Sequence, residues 1–173
     1  EKLRLLKKNV NERIRMLSEC DEQEMGKVRL RRLGLRRCHY IDEGYRQDEE
    51  MDVLIKQLLN KNPETLYIIG SNRIGSVIPK ESARNSRCRE YSGVFMIDEE
   101  GDTVIQGGDY LTLSYRGDCG QNYYFLPKLL NYAKEKGYQM ASDVYELLWV
   151  DIHVSERVEE HITELQFRIE QKA

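Results

Sequence analysis

Glu146 stands in the run Val144-Tyr145-Glu146-Leu147-Leu148-Trp149-Val150-Asp151-Ile152-His153. Alternate residues of a strand share a face, so Val144, Glu146, Leu148, Val150 and Ile152 line up together, apolar except for one carboxylate. Covering that carboxylate with another layer costs several kcal/mol unless it is neutralised, hydrogen-bonded or met by a cation. Two readings follow: an edge strand whose Glu146 side is wet, or a buried acid that awaits a positive partner. Tyrosines bear on the choice, because Tyr110, Tyr115, Tyr123, Tyr124, Tyr132, Tyr138 and Tyr145, out of eleven, share the half of the chain that carries Glu146. Ring faces attract cations, and rings around a buried carboxylate make a pocket for a flat organic cation. The competing use of tyrosine is to fill a small core while keeping its hydroxyl wet.

Other chemistry is hard to place. The chain has no P-loop, dinucleotide fingerprint, zincin helix or nucleophile elbow. Cys20, Cys38, Cys88 and Cys119 lie far apart with no C-x-x-C pair, and His39, His153 and His161 complete no ligand spacing. Reduced thiols are the simplest reading, and no metal or cofactor is expected. The net charge of -3 argues against nucleic-acid binding by the chain as a whole. The cluster Lys27, Arg29, Arg31, Arg32, Arg36 and Arg37 reads as a solvated strand face or protected sheet edge, with a phosphate-binding surface as the sharper option. No apolar run of membrane-spanning length occurs and no secretory layout opens the chain, so a cytoplasmic protein is expected.

The elements that position these residues can be traced along the 173 residues. Through residues 1–24 there is no Gly or Pro, and Leu3, Leu6, Val10, Ile14, Leu17 and Cys20 recur at spacings of three and four, which predicts a helix with one narrow apolar seam suited to a twin helix. Residues 27–41 predict one strand, or two with a kink near Gly34. Residues 48–60 predict a helix stopped by Asn62-Pro63, followed by strands over 66–69, 74–78 and 91–97. After the polar break Glu99-Glu100-Gly101-Asp102, residues 109–115 alternate as a strand. A helix over 121–136 closes at Gly137, and strands over 138–153 and 162–169 end the chain. The expected fold is α+β: a long leading helix (1–24, dimerisation or connector) and a domain over 25–173 of two pseudo-symmetric β-α-β-β units, helices on one side and a cleft along the seam.

The strings Lys128-Leu129-Leu130-Asn131-Tyr132, Ala141-Ser142-Asp143-Val144-Tyr145-Glu146-Leu147 and Asp151-Ile152-His153-Val154-Ser155, with Tyr124-Phe125-Leu126 upstream, resemble the GyrI-like effector-binding domains of BmrR-like, MerR-family multidrug-sensing transcriptional regulators. The resemblance is strong over 107–170 and weaker over 26–97, and residues 1–24 resemble that family's dimerisation helix. It implies a module of two β-α-β-β units that binds small aromatic, cationic molecules. The family's cation-sensing glutamate falls on Glu146, its same-face neighbour on Leu148, and a pocket tyrosine on Tyr123 or Tyr124. Tyr110 and Ile69 complete the implied lining. The chain departs from the family where an acidic pocket position falls in the Arg-rich 33–37 stretch and where two tyrosines fall on Asp52 and Ile69. Implied partners are a small-molecule effector, a second copy through the leading helix, and DNA only through a helix-turn-helix part absent from this chain. The rival is an enzyme, because GyrI-like domains include hydrolases and Glu146 could serve as a general base.

Overall fold

Alternating apolar runs broken by Gly and Asn are built to pair, and in the computed structural model they pair into one antiparallel sheet. Residues 24–62, 73–150 and 155–171 are described, together with Leu3, Arg4, Lys7, Val10, Asn11, Ile14 and Ser18. The strands are β1 (Val28–Leu33), β2 (Arg36–Ile41), β3 (Arg73–Ile78), β4 (Gly93–Ile97), β5 (Thr103–Ile105), β6 (Gly108–Arg116), β7 (Tyr138–Met140), β8 (Val144–Val150) and β9 (Ile162–Gln171). The helices are α1 (Asp48–Lys61), α2 (Lys80–Arg84) and α3 (Asn122–Glu135). Sheet order is β1-β6-β9-β8-β3-β4-β2-β5, with β7 added beside β9.

Two β-α-β-β units are visible in that order: β2-α1-β3-β4 and β6-α3-β8-β9. Each lays its strands second, third, first, and the two meet through β3 and β8. That junction is the pseudo-twofold seam, and Ser76 of β3 lies directly opposite Glu146 of β8 across it.

Both main helices cover one face of the sheet. Met51, Leu54, Ile55 and Leu58 of α1, with Leu126, Leu129 and Ala133 of α3, share a core with Val94, Met96, Leu111, Leu113, Leu165 and Phe167. These helix residues recur every three or four positions, which is the stripe a half-buried helix needs. α1 starts on a capping box in which Gln47 and Glu50 satisfy each other's backbone donors. Past α3, Gly137 takes a positive φ of 74° to end the helix. The opposite face curls on itself around Cys38, Val77, Phe95, Ile105 and Leu147.

Of the two arrangements expected for residues 27–41, the two-strand one is found, β1 on β6 and β2 on β4, because Gly34-Leu35 turns the chain between them. Other expectations change. Residues 138–153 do not make one strand. The chain breaks after Met140, where Asp143 accepts a 2.8 Å bond from the Lys80 amide and Ala141 donates to Arg168 at 2.8 Å, and β8 starts afresh. The short β5 and α2 carried no period long enough to detect. The expected strand over 66–69 lies outside the described residues. In the leading segment the described residues have helical backbone, and Leu3, Val10 and Ile14 are exposed. Leu6, Leu17 and Cys20 lie outside the described residues, so one long helix over 1–24 is not established. Among the described residues no helix is long and apolar enough to cross a membrane.

Candidate functional site

Glu146 is covered, not wet: it is 1% exposed, between Val144 at 0% and Val150 at 9% on the same face. The alternation of β8 aims it at the helices, and the seam places it between the two units. Burial drives its carboxyl up from the ordinary 4.5 to about 7. Hydrogen bonds from Asn122 and then Tyr91 oppose that rise, as does the positive charge of Arg89, while Asp48 adds to it.

The partners of Glu146 come from loops and helix starts. Tyr91 Oη donates to Oε2 at 3.1 Å. Asn122, the first residue of α3, donates its Nδ2 to the same oxygen. Tyr115 Oη donates to Asn122 Oδ1 at 2.7 Å, which orients the amide. Tyr115 is itself stacked on Phe125, centroids 4.6 Å apart and planes 6° apart. Tyr45 stacks on Tyr91 at 4.7 Å and 17°, and their backbones exchange hydrogen bonds of 3.0 and 3.1 Å. The Tyr45 hydroxyl pairs with Ser76, whose Oγ lies 3.7 Å from Met51 Sδ. Burial first, and then the negative charge of Glu146, raises the hydroxyl of Tyr91, so these phenols stay neutral donors. Among the described residues no full positive charge touches the carboxylate.

Above this cluster lies an ionic latch. Arg89 Nη2 meets Asp48 Oδ1, in the first turn of α1, at 2.5 Å. The Cys119 thiol approaches the same oxygen at 3.6 Å, and burial, with Glu146 next, pushes that thiol up to about 12. The latch joins the start of α1 to the 88–91 loop and to the turn preceding α3.

Of the residues expected at the site, Glu146 occupies its centre and Leu148 lies half-buried on the same face. Tyr123 and Tyr124 do not join it: they are 63% and 68% exposed on the outer side of α3, because the helix turns Asn122 inward instead. Tyr110 is buried on the opposite face of the sheet, where its hydroxyl donates to Gln106 O at 2.5 Å. Ile69 lies outside the described residues. The rings at the carboxylate are Tyr45, Tyr91 and Tyr115. Only Tyr115 carried a signal, its place in phase with Leu111 and Leu113. Tyr45 and Tyr91 form an isolated bridge outside any strand, where period says nothing.

A doubled β-α-β-β sheet with both helices on one face is the GyrI-like architecture. The C-terminal domain of EcmrR has it: TM-score 0.62 at 14% identity, over 84% of this chain and 98% of that one. EcmrR in its complex with DNA matches at TM-score 0.62 and 15% identity, over 99% of this chain and 70% of that one. A hydrolase from Listeria innocua matches at TM-score 0.58 and 8% identity, over 84% and 93%. No family model and no curated protein matches the chain. The structural likeness shows that the chain shares the fold of the EcmrR C-terminal domain, which agrees with the resemblance read from the sequence.

Proposed function

We propose that this chain is the ligand-sensing part of a MerR-type transcriptional regulator, and that Glu146 receives a small aromatic cation. The supporting observation is a fully buried carboxylate that has neutral hydrogen-bond donors, a carboxyl raised to about 7 and tyrosine rings beside it, but no contacting cation among the described residues. Such a carboxylate gains most from a partner that brings positive charge and costs little to desolvate, which describes a delocalised organic cation. Stacking contacts tolerate varied ring shapes, where hydrogen-bond readout would select one ligand.

The site holds its own side chains in place of a ligand. Binding therefore displaces Tyr91 or the latched start of α1, and this movement is the event a regulator can transmit. Signal passes only if the ligand prefers the displaced arrangement. In this reading residues 1–24 form the connector, and the exposed Leu3, Val10 and Ile14 are the seam for a second copy. DNA is read by a part outside this chain, and residues 25–173 form the sensing domain.

The hydrolase reading is less well supported. A general base needs a water in contact with it and a substrate beyond. Glu146 is 1% exposed, and its Oε2 is taken by Tyr91 and Asn122.

Calorimetry with a phosphonium or rhodamine cation, from about pH 5.5 to 8.5, tests the proposal. Affinity should rise with pH through about 7 and then level off. Below that point binding should release a proton, seen as a dependence of the heat on the buffer's ionisation enthalpy. Glu146→Gln should weaken binding by about 1 to 3 kcal/mol and remove the proton release. Equal affinity in parent and variant overturns it, as does ester turnover that the variant abolishes.

A further inference from the structure

The face of the sheet turned away from the helices holds a second set of buried polar groups, which the Glu146 site does not use. Glu164, Gln166 and Thr112 are at most 4% exposed there. Register sets them side by side: Glu164 lies opposite Ser114 and Leu147, and Gln166 opposite Thr112 and Tyr145. Arg36, on β2, reaches the same place across the curl, its guanidinium 5.3 Å from the centre of the Tyr110 ring. β2 and β6 are far apart in the sheet order, so this contact marks where the sheet curls round on itself.

Charges and hydrogen bonds there do not balance. Glu164 is satisfied: Arg31 Nη1 lies 3.6 Å away, Ser114 donates at 3.1 Å and Gln166 Nε2 at 2.7 Å. Arg36 is not. Its Nε and Nη2 are sealed from solvent and have no hydrogen-bond partner, and the carbonyl Oε1 of Gln166 is in the same condition. Nε and Nη2 form one edge of the guanidinium, with two parallel N–H bonds whose spacing matches the two oxygens of a carboxylate. Leaving a charged donor edge buried and unbonded is unfavourable, so the arrangement is suited to an acceptor that the described residues do not provide.

We propose that this concave face is a second ligand site, which takes a small organic acid by its carboxylate on the Nε/Nη2 edge of Arg36. The charge count favours a monoanion. Arg31 is already matched by Glu164, so one positive charge remains, and a doubly charged phosphate would face Glu164 with its excess. Tyr110 beneath the guanidinium and Tyr145 beside Gln166 favour a ring on the acid. The orphaned Gln166 Oε1 is suited to a donor on that ring, such as an amine or hydroxyl.

Nitrogen-detected NMR of the arginine Nε–H groups reads the site directly, with the Arg36 signal assigned by its loss in Arg36→Lys. Titration of the parent with 4-aminobenzoate should shift that signal saturably, and 4-aminobenzamide, which lacks the charge, should not. Calorimetry should give an affinity for the acid about tenfold weaker in Arg36→Lys, since an ammonium cannot offer two parallel donors. Thermal unfolding checks that the variant is folded, and the NMR titration stands if it is not. An unmoved Arg36 signal, benzamide binding equal to that of the acid, or tighter binding of phenyl phosphate than of benzoate overturns the proposal.

Discussion

Two glutamates sit about equally deep on opposite faces of one sheet, and their surroundings assign them different work. Glu164 has Arg31 at 3.6 Å and two neutral donors, and Glu146 has neutral donors alone. Burial raises both carboxyls. Depth therefore does not mark a binding carboxylate. On the proposed function, what marks one is the lack, among the described residues, of a contacting cation, because an ion pair completed within the chain has little left to offer a ligand.

The comparison can be broken most forcefully at Glu164. Glu164→Ala removes the partner of Arg31 and two hydrogen bonds, and should cost about 3 to 4 kcal/mol in urea unfolding, near the lower bound for breaking a buried pair because Arg31 keeps some contact with water. A loss under about 1 kcal/mol would demote the pair to a surface one.

Glu146→Gln should act with the opposite sign. A carboxyl raised from 4.5 to about 7 contributes stability that is intact below 4.5 and lost as pH climbs through 7, amounting to about 3 kcal/mol. The variant keeps an acceptor for Tyr91 and Asn122 but cannot ionise. It should match the parent near pH 4 and exceed it by up to that amount above pH 8. Urea midpoints across that range decide it, and parallel curves would mean Glu146 ionises without penalty.

Tyr91→Phe sharpens the picture by removing one donor from Oε2. The expected cost is about 1 kcal/mol, and because that bond favours the ionised form, the midpoint of the pH-dependent cation affinity should move above 7. An unmoved midpoint would leave Asn122 as the donor that matters. The smallest effect belongs to the latch. Arg89→Ala breaks the contact with Asp48 and takes a positive charge from the neighbourhood of Glu146, so well above the midpoint of the carboxyl, where Glu146 is ionised in parent and variant alike, cation affinity should rise by under about 1 kcal/mol. A decrease would show that Arg89 helps to build the site.

What could be read from the sequence depended on period. The alternation of β8 exposed Glu146 as the odd residue on an apolar face, and Asn62-Pro63 after α1 and Gly137 after α3 marked where the two helices end. The repeat order then gave the two units. Tyr45 and Tyr91 escaped because they meet in a loop-to-loop bridge, which has no period. Tyr123 and Tyr124 lie outside the Glu146 cluster, since a resemblance that places a tyrosine at either of two adjacent positions cannot say which residue of α3's first turn faces inward, and the inward one is Asn122. The concave site was invisible for a related reason: Arg36 and Tyr110 belong to strands that meet only through the curl, and no spacing along the chain records it.

Among the described residues the outermost long strand, β1, pairs on one side alone, with β6, and β5 at the other end is three residues long. An open edge recruits strands from neighbouring molecules, which is how folded sheets nucleate insoluble aggregates. Charged side chains stand along that edge beside the exposed Leu30, with Arg29 paired to Glu24 and Arg32 to Asp109, and a strand from another copy would have to desolvate those pairs to dock. The arginine-rich stretch, which looks from composition like a place to hold phosphate, thus has the make-up of a sheet edge guarded against strands from other molecules.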